Sequence, residues 1–317
     1  MKNRWVALAL CVVLGVSATT LGVEAKVVKF TTADGVEIVA DFYPPKAEKP
    51  APTVILLHMY RSSRAAWKPL VPHLHDAGFA VLALDLRGHG ESVNPRSERL
   101  AQRAAERDPG LFNAMHSDVF AAYEFLSKQP QCDLSRLALV GASVGCSVAL
   151  DYARQDRSVD AVVCLSPGEG YLGVDSLSHM AQIAEKGGRA VLLMAAPGER
   201  KACDALQAVY KEATVEITAP GSKDGDKAHG TNLFGQVDGV EKRVTGFLVS
   251  YVGEPGEEPV VADVQGDVYY AADSERAENI PAAQKRIFSS RAEARSRGLK
   301  AGSTPASAPQ RSAADKP

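Results

Sequence analysis

The chain has 317 residues, of which 45% are hydrophobic and 23% are charged. This is the composition of a globular protein with one large or two smaller domains. The formal net charge of −2 gives no bulk attraction to nucleic acid or to anionic lipid, so we expect no nucleic-acid partner.

The first 25 residues have the layout of a secretory signal peptide. Lys2 and Arg4 precede an apolar run over 5–18, and 23–25 fits a small-residue cleavage site. The apolar run is shorter than the roughly 20 residues that span a bilayer, which favours a cleaved signal peptide. An uncleaved membrane anchor is the alternative interpretation. The sequence therefore predicts an exported protein, periplasmic or extracellular, without stable membrane insertion after cleavage.

The chain beyond residue 25 alternates apolar strands with helices. Alternating apolar residues on both sides of Asp34-Gly35 predict a hairpin. Further strands are predicted over 53–58, 79–88, 136–143, 160–168, 189–198 and 213–221. Helices are predicted over 64–78, 115–130, 144–154, 174–186, 202–212 and 235–251. Strands that are apolar throughout predict an α/β fold over 26–253, with a mostly parallel sheet covered by helices on both faces.

The composition changes after Gly253. Residues 254–262 are predicted to be a linker, 263–301 a small C-terminal module and 302–317 a disordered tail. A solvated helical face explains the basic residues of the module better than a nucleic-acid site does. These are Lys285, Arg286, Arg291, Arg295, Arg297 and Lys300.

Four cysteines follow the predicted cleavage site. Cys146 and Cys164 lie in apolar runs and are expected to be buried thiols. Cys132 and Cys203 flank loops, where export would permit one disulfide, but their spacing does not decide it.

Ser143 lies in the stretch Gly-Ala-Ser-Val-Gly, between a predicted strand and a predicted helix. G-x-S-x-G at such a junction is the pattern of a nucleophile elbow, in which a strained turn lifts the serine hydroxyl above the sheet edge. A tight turn without chemistry is the alternative. Ligands of parallel sheets bind beyond the C-terminal ends of the strands, where Ser143 is expected.

A nucleophilic serine needs a base and an acid. His229 follows the last predicted strand and is the candidate base, because the chain order of this fold is serine, acid, histidine. Glu199 lies in the turn directly after a strand and is the favoured acid. Asp204 is the alternative acid, although its place in a first helical turn is also explained by the helix dipole.

An oxyanion hole needs two backbone N–H groups aimed at the developing negative charge. Met59, after the strand over 53–58, and Val144, after the serine, are the candidates. His58, Tyr60 and Tyr171 are candidate pocket walls.

Two further features bear on the substrate. Arg61 and Arg64 follow Met59, where they would favour acidic substrates or serve only as surface charge. The interval between 168 and 189 has room for one helix and no lid, whereas the charged segment 93–115 is a longer excursion that could partly cover the pocket.

Five motifs in this order resemble the α/β-hydrolase superfamily, over roughly residues 27–252. They are VILLHMYRSSRAAW (54–67), LALDLRGHGES (82–92), LVGASVG (139–145), VLLMAAPGE (191–199) and AHGTNLF (228–234). The chain is most similar to small, lidless members of the dienelactone-hydrolase-like or esterase-like type. The C-terminal module also resembles small Ada-type metal-binding modules, but it holds no cysteine, so zinc binding is not implied.

The resemblance implies an exported serine hydrolase that cleaves a small-molecule carboxylic ester. Ser143 would form the acyl-enzyme, His229 would act as general acid and base, and residue 199 would orient the imidazole, with no cofactor and no metal. No oligomeric state is favoured. A catalytically silent binding protein on the same scaffold, or a peptidase or amidase, are the alternatives.

The sequence departs from the family's pattern at two places. Its acid is Glu199 where Asp is usual, and Met59 replaces the glycine of the usual His-Gly oxyanion loop, so a bulky side chain is expected to line the pocket. The elbow also lacks the cysteine nucleophile of dienelactone hydrolases proper, so opening of a dienelactone ring is not implied.

Overall fold

An eight-stranded sheet forms the centre of the molecule in the computed structural model, which describes residues 23–93, 98–186, 189–218, 228–253, 259–271, 274–288, 294, 297 and 299–301. The predicted tail and nearly all of the predicted signal peptide lie outside these ranges. The strands up to residue 218 are β1 Lys26–Thr31, β2 Glu37–Tyr43, β3 Ala51–Leu57, β4 Ala80–Leu84, β5 Cys132–Ala142, β6 Val159–Leu165, β7 Gly170–Tyr171, β8 Val174–Asp175, β9 Ala190–Ala195 and β10 Thr214–Ile217.

The strand order of the central sheet is β1-β2-β4-β3-β5-β6-β9-β10. Strand β2 is antiparallel to both of its neighbours, and the other pairs are parallel. Gly141 near the end of β5 is in register with Leu57 of β3 and Cys164 of β6, so the carboxyl ends of these strands meet at one edge. This arrangement confirms the predicted α/β class and places Ser143 at that edge.

Helices cover both faces of the sheet, as the apolar strands require. They are α1 Val71–Asp76, α2 Glu98–Ala105, α3 Pro109–Asn113, α4 His116–Leu126, α5 Val144–Gln155, α6 Ser176–Lys186, α7 Arg200–Val209 and α8 Val240–Val252. Helices α4 to α7 bury apolar side chains in one core cluster, while α1 and α8 pack into a second cluster on the opposite face.

Several elements differ from the sequence prediction. The helix predicted over 64–78 is a 3₁₀ turn, Arg64–Trp67, followed by α1, and the segment 93–115 contains α2 and α3. A short hairpin, β7–β8, precedes α6, where only a helix was expected. Helix α8 begins at Val240 rather than at 235, because the left-handed Gly239 (φ 74°) separates it from the preceding loop. The described part of the strand predicted over 213–221 is β10, and residues 219–227 lie outside the described ranges.

The C-terminal part contains a separate four-stranded sheet, ordered β13-β11-β12-β14. Its elements are β11 Val260–Asp263, β12 Val268–Ala271, helix α9 Glu275–Glu278, β13 Lys285–Phe288 and β14 Lys300–Ala301. Residues 260–262, placed by sequence in the linker, belong to β11, because Val260 and Ala262 are buried in this sheet's own core. The other proposed boundaries stay predictions.

The four cysteines after the predicted cleavage site are free thiols, with Cys132 half-buried and the other three buried. The disulfide considered between Cys132 and Cys203 is therefore not formed. Within the described ranges, no group of histidine, cysteine and acidic residues could hold a metal ion. None of the helices in the same ranges has the length and hydrophobicity of a membrane span.

Candidate active site

Ser143 occupies the turn between β5 and α5 in a left-handed conformation, with φ 52° and ψ −118°. Its N–H donates to the Leu165 carbonyl at 2.9 Å, which ties the turn to β6. A Cβ at Gly141 would overlap the carbonyl of Gly145, and a Cβ at Gly145 would overlap that of Leu57. Both glycines are therefore needed for the close approach, and the strained serine has the geometry of a nucleophile elbow.

His229 and Glu199 are brought together from two loops. Glu199 ends a 3₁₀ turn after β9, and His229 lies immediately before the 3₁₀ turn Gly230–Leu233. Nδ1 of His229 lies 2.5 Å from Oε1 of Glu199. An ionised carboxylate only accepts hydrogen bonds, so Nδ1–H donates and Nε2 keeps a free lone pair for a hydroxyl proton.

The alternative acid, Asp204, is placed differently. It lies within α7, where Nε of Arg200 donates to its Oδ2 at 3.2 Å, and about half of its side chain is exposed. This i,i+4 ion pair accounts for Asp204 without chemistry. Of the two candidate acids, only Glu199 bonds to His229 in the structure.

Tyr171 of β7 lies beside His229. Its ring stands edge-on to the His229 imidazole, with centroids 6.1 Å apart and an interplanar angle of 88°. Burial, with the Glu199 charge nearby, raises the pKa of Tyr171 to about 12, so the hydroxyl keeps its proton at neutral pH. The structure thus places this predicted wall residue against the His229 ring.

The two candidate oxyanion donors flank the elbow. Val144 is the first residue of α5, so its N–H has no acceptor within the helix. Met59 follows β3 at the same sheet edge, and its side chain is half-buried. The Thr231 hydroxyl lies 3.7 Å from its sulfur, and a Cβ at Gly230 would come within 2.9 Å of that sulfur. The thioether therefore packs beneath the loop that carries His229.

Ser166 binds the loop that carries His229 through its side chain. The sequence alone did not single out this residue. The N–H of Gly230 donates to Oγ of Ser166 at 2.8 Å, directly next to His229. Ser166 is fully buried, has a φ of 54°, and donates its own N–H to Met194 at 2.7 Å. The feature of the sequence that could have identified Ser166 is its position near the end of a predicted strand, at the sheet edge where Ser143 is expected.

His58 is a brace for the oxyanion loop rather than a pocket wall. Its Nε2 accepts the N–H of Leu86 at 3.0 Å, so Nδ1 carries the proton and donates to the Met59 carbonyl at 2.8 Å. Complete burial, with His89 beside it, lowers the pKa of His58 to about 3, which keeps the ring neutral. Tyr60 is half-buried and packs against Phe112.

Arg64 does not face a substrate. Its guanidinium bonds to Asp41 at 2.8 Å, to Glu91 at 2.7 Å and to the buried carboxylate of Asp85. Three carboxylates therefore neutralise its charge. Arg64 thus cannot attract an acidic substrate. Arg61, in contrast, is exposed, and its guanidinium lies against the Tyr60 ring.

The strand order, the single reversed strand β2 and the strained serine turn define the α/β-hydrolase fold. The sequence profile of the family described as serine aminopeptidase S33 matches residues 48–197. The chain therefore has the α/β-hydrolase fold, and over residues 48–197 it is similar to this hydrolase family.

Solved structures with the same fold cover most of the chain. An esterase from Pyrococcus furiosus is 21% identical with a TM-score of 0.56, over 73% of this chain and 93% of that one. A dienelactone hydrolase from Anabaena variabilis is 18% identical with a TM-score of 0.52, over 70% of this chain and 94% of that one.

A curated relative extends over less of the chain. An uncharacterized protein of Mycobacterium tuberculosis is 29% identical over 151 residues, which is 48% of this chain and 48% of the relative. The chain thus spans about half the length of this relative.

Proposed function

We propose that this chain is a serine hydrolase that cleaves carboxylic esters through an acyl-enzyme. The observation that carries the proposal is the pairing of His229 with Glu199 at the sheet edge that carries the strained Ser143, with Tyr171 against the histidine ring. The family match and the names of the fold neighbours support a hydrolase.

The geometry supports a two-step acyl transfer. Ser143 attacks the ester carbonyl while Nε2 of His229 takes the hydroxyl proton. Glu199 holds Nδ1–H and stabilises the imidazolium. The N–H groups of Met59 and Val144 bind the oxyanion. The imidazolium gives its proton to the leaving alcohol, and a water molecule, deprotonated by the same imidazole, then releases the acid.

The described residues favour an ester over a peptide with a free amino terminus. An aminopeptidase, as the matched family is described, needs a negative charge to hold the substrate's ammonium group. The carboxylate that the described residues bring to this site, Glu199, already faces His229. Between β6 and β9, the described residues form only the β7–β8 hairpin and α6, so this segment adds no lid.

Export is a second part of the proposal, and it rests on the layout of residues 1–25. Expression with the full leader should give a mature chain beginning at residue 26 outside the cytoplasm, as determined by cell fractionation and N-terminal sequencing. Recovery of the intact leader in the membrane fraction would support the anchor instead.

Labelling with a fluorophosphonate probe tests the activity. The purified wild type should be labelled and should hydrolyse short p-nitrophenyl esters, whereas Ser143→Ala and His229→Ala should lose both properties. His73→Gln, a histidine on α1, is the matched control and should keep them. A folded wild type that neither reacts with the probe nor turns over the esters would instead indicate a silent binding protein.

A further inference from the structure

Two guanidinium groups lie against one aromatic ring next to the candidate oxyanion loop. The guanidinium carbon of Arg61 is 5.4 Å from the Tyr60 ring centroid, and that of Arg107 is 5.7 Å from it. Tyr60 is joined directly to Met59, whose N–H is a candidate oxyanion donor. The ring, next in the chain to the candidate oxyanion donor, therefore holds two positive charges.

The acidic residues around this pair have other partners. Glu91 pairs with Arg64, Asp108 pairs with Arg103 at 2.5 Å, and Glu106 accepts a hydrogen bond from Gln102. Within the described ranges, neither Arg61 nor Arg107 forms an ion pair with a carboxylate. Two like charges on one ring repel each other, and a bound anion would relieve that repulsion.

A pocket of about 270 Å³ opens beside the pair. Its lining includes Arg61, Tyr60, His89 and Ala104 of α2. Tyr60 and His89 lie on the segments that follow β3 and β4, two neighbouring parallel strands, so the pocket lies at the same sheet edge as Ser143. Polar side chains in its lining, those of Tyr60, Arg61 and His89, suit a polar substituent.

The geometry points to a binding subsite for a carboxylate carried by the ester substrate, with Arg61 and Arg107 as its donors. This inference rests on the proposed ester hydrolysis and names the substrate class: anionic esters whose carboxylate lies a few bonds from the scissile carbonyl. Guanidinium groups suit this task because they are permanently charged and bind carboxylates with two parallel hydrogen bonds. Arg64, neutralised by three carboxylates, takes no part.

The test compares p-nitrophenyl hydrogen glutarate with its neutral methyl ester. The wild type should show a higher kcat/KM for the anionic ester, and the preference should fall as ionic strength rises. The double variant Arg61→Gln, Arg107→Gln should reduce kcat/KM for the anion about tenfold more than for the neutral ester, the size expected of two exposed charge pairs.

A matched control removes two positive charges from the opposite end of the sheet. Lys128 and Arg157 are exposed and precede β5 and β6, respectively. The double variant Lys128→Gln, Arg157→Gln should leave the ratio of the two kcat/KM values unchanged. Equal loss of preference in this control, or a wild type without preference, would overturn the subsite.

Failure of the subsite remains distinct from failure of the hydrolase proposal. Turnover of the neutral ester and fluorophosphonate labelling measure the hydrolase alone. If both are absent, calorimetric titration of Ser143→Ala with p-nitrophenyl hydrogen glutarate tests the subsite directly. Binding that weakens when Arg61 and Arg107 are also replaced would support it, and binding that is absent or insensitive to that replacement would refute it.

Discussion

The nucleophile elbow and the loop that carries His229 are held in place in different ways. At the elbow, backbone atoms of β3, β5 and α5 approach so closely that Gly141 and Gly145 admit no side chain. The His229 loop is held by side chains that come from elsewhere, those of Glu199, Ser166 and Met59. A side chain at either of these glycines should therefore disturb the fold, whereas a change around the loop should disturb the reaction and leave the fold intact.

The largest effect is expected where the loop meets its acid. Glu199→Gln should lower kcat about 10²- to 10⁴-fold, because the amide holds the imidazole poorly and does not stabilise the imidazolium. Asp204→Asn is the control and should stay within about twofold of the wild type, since Asp204 pairs with Arg200. Steady-state hydrolysis of a p-nitrophenyl ester measures both. The opposite ranking of the two variants would assign the acid to Asp204.

The second prediction concerns how crowding at the elbow affects the free energy of unfolding. Gly145→Ala should lower the free energy of unfolding by about 3 kcal/mol, because its Cβ would overlap the Leu57 carbonyl and backbone must move. Gly246→Ala in α8, where no atom lies within 4 Å of the added Cβ, should instead raise it by about 0.5–1 kcal/mol. Urea denaturation followed by circular dichroism gives both values. Similar values for both variants would show that the elbow is not crowded.

A smaller effect sharpens the role of Ser166. Ser166→Ala and Ser166→Gly both remove the acceptor for the Gly230 N–H, and each should lower kcat about tenfold with little change in KM. The glycine variant should be about 1 kcal/mol more stable than the alanine variant, because φ at this position is positive. Kinetics and thermal unfolding separate the two effects. Recovery of kcat in the glycine variant would mean that backbone strain, and not the hydrogen bond, governs the loop.

The same division explains how much the sequence could predict. The strands, Ser143 and its flanking glycines form local patterns, and the structure reproduces them. Ser166 bonds to a residue 64 positions away, and Met59 contacts one 172 positions away, so no local pattern reveals either contact. The β7–β8 hairpin was missed because its strands have two residues each, too few for a period to show. His58 was predicted to line the pocket, but it is fully buried beneath the loop. Sequence alone does not show whether a loop side chain points into the pocket or into the core.

The smallest expected effect concerns a histidine outside both regions. A hydrogen bond to Asp151 raises the pKa of His116 above its ordinary value of 6.5, although burial opposes the shift. The pair therefore stabilises the fold fully below pH 6.5, and this contribution is lost as pH rises through the raised pKa. His116→Gln should cost about 0.5 kcal/mol at pH 5.5 and less at pH 8.5. Urea denaturation at both pH values checks this difference, with His73→Gln as the control. A cost that does not change with pH would show that packing, rather than charge, is what His116 contributes.

Three thiols lie in the protein interior close to the elbow. Sγ of Cys146 lies 3.3 Å from the carbonyl oxygens of both Gly141 and Leu165, either of which can accept its one proton. Cys164 and Cys203 are equally inaccessible. A thiol must reach solvent and lose its proton before a reagent can modify it. The rate at which an alkylating reagent modifies Cys146 under native conditions therefore measures how often the structure beneath the serine opens. The chain thus carries its own exchange probe for the region around Ser143, and no label needs to be introduced.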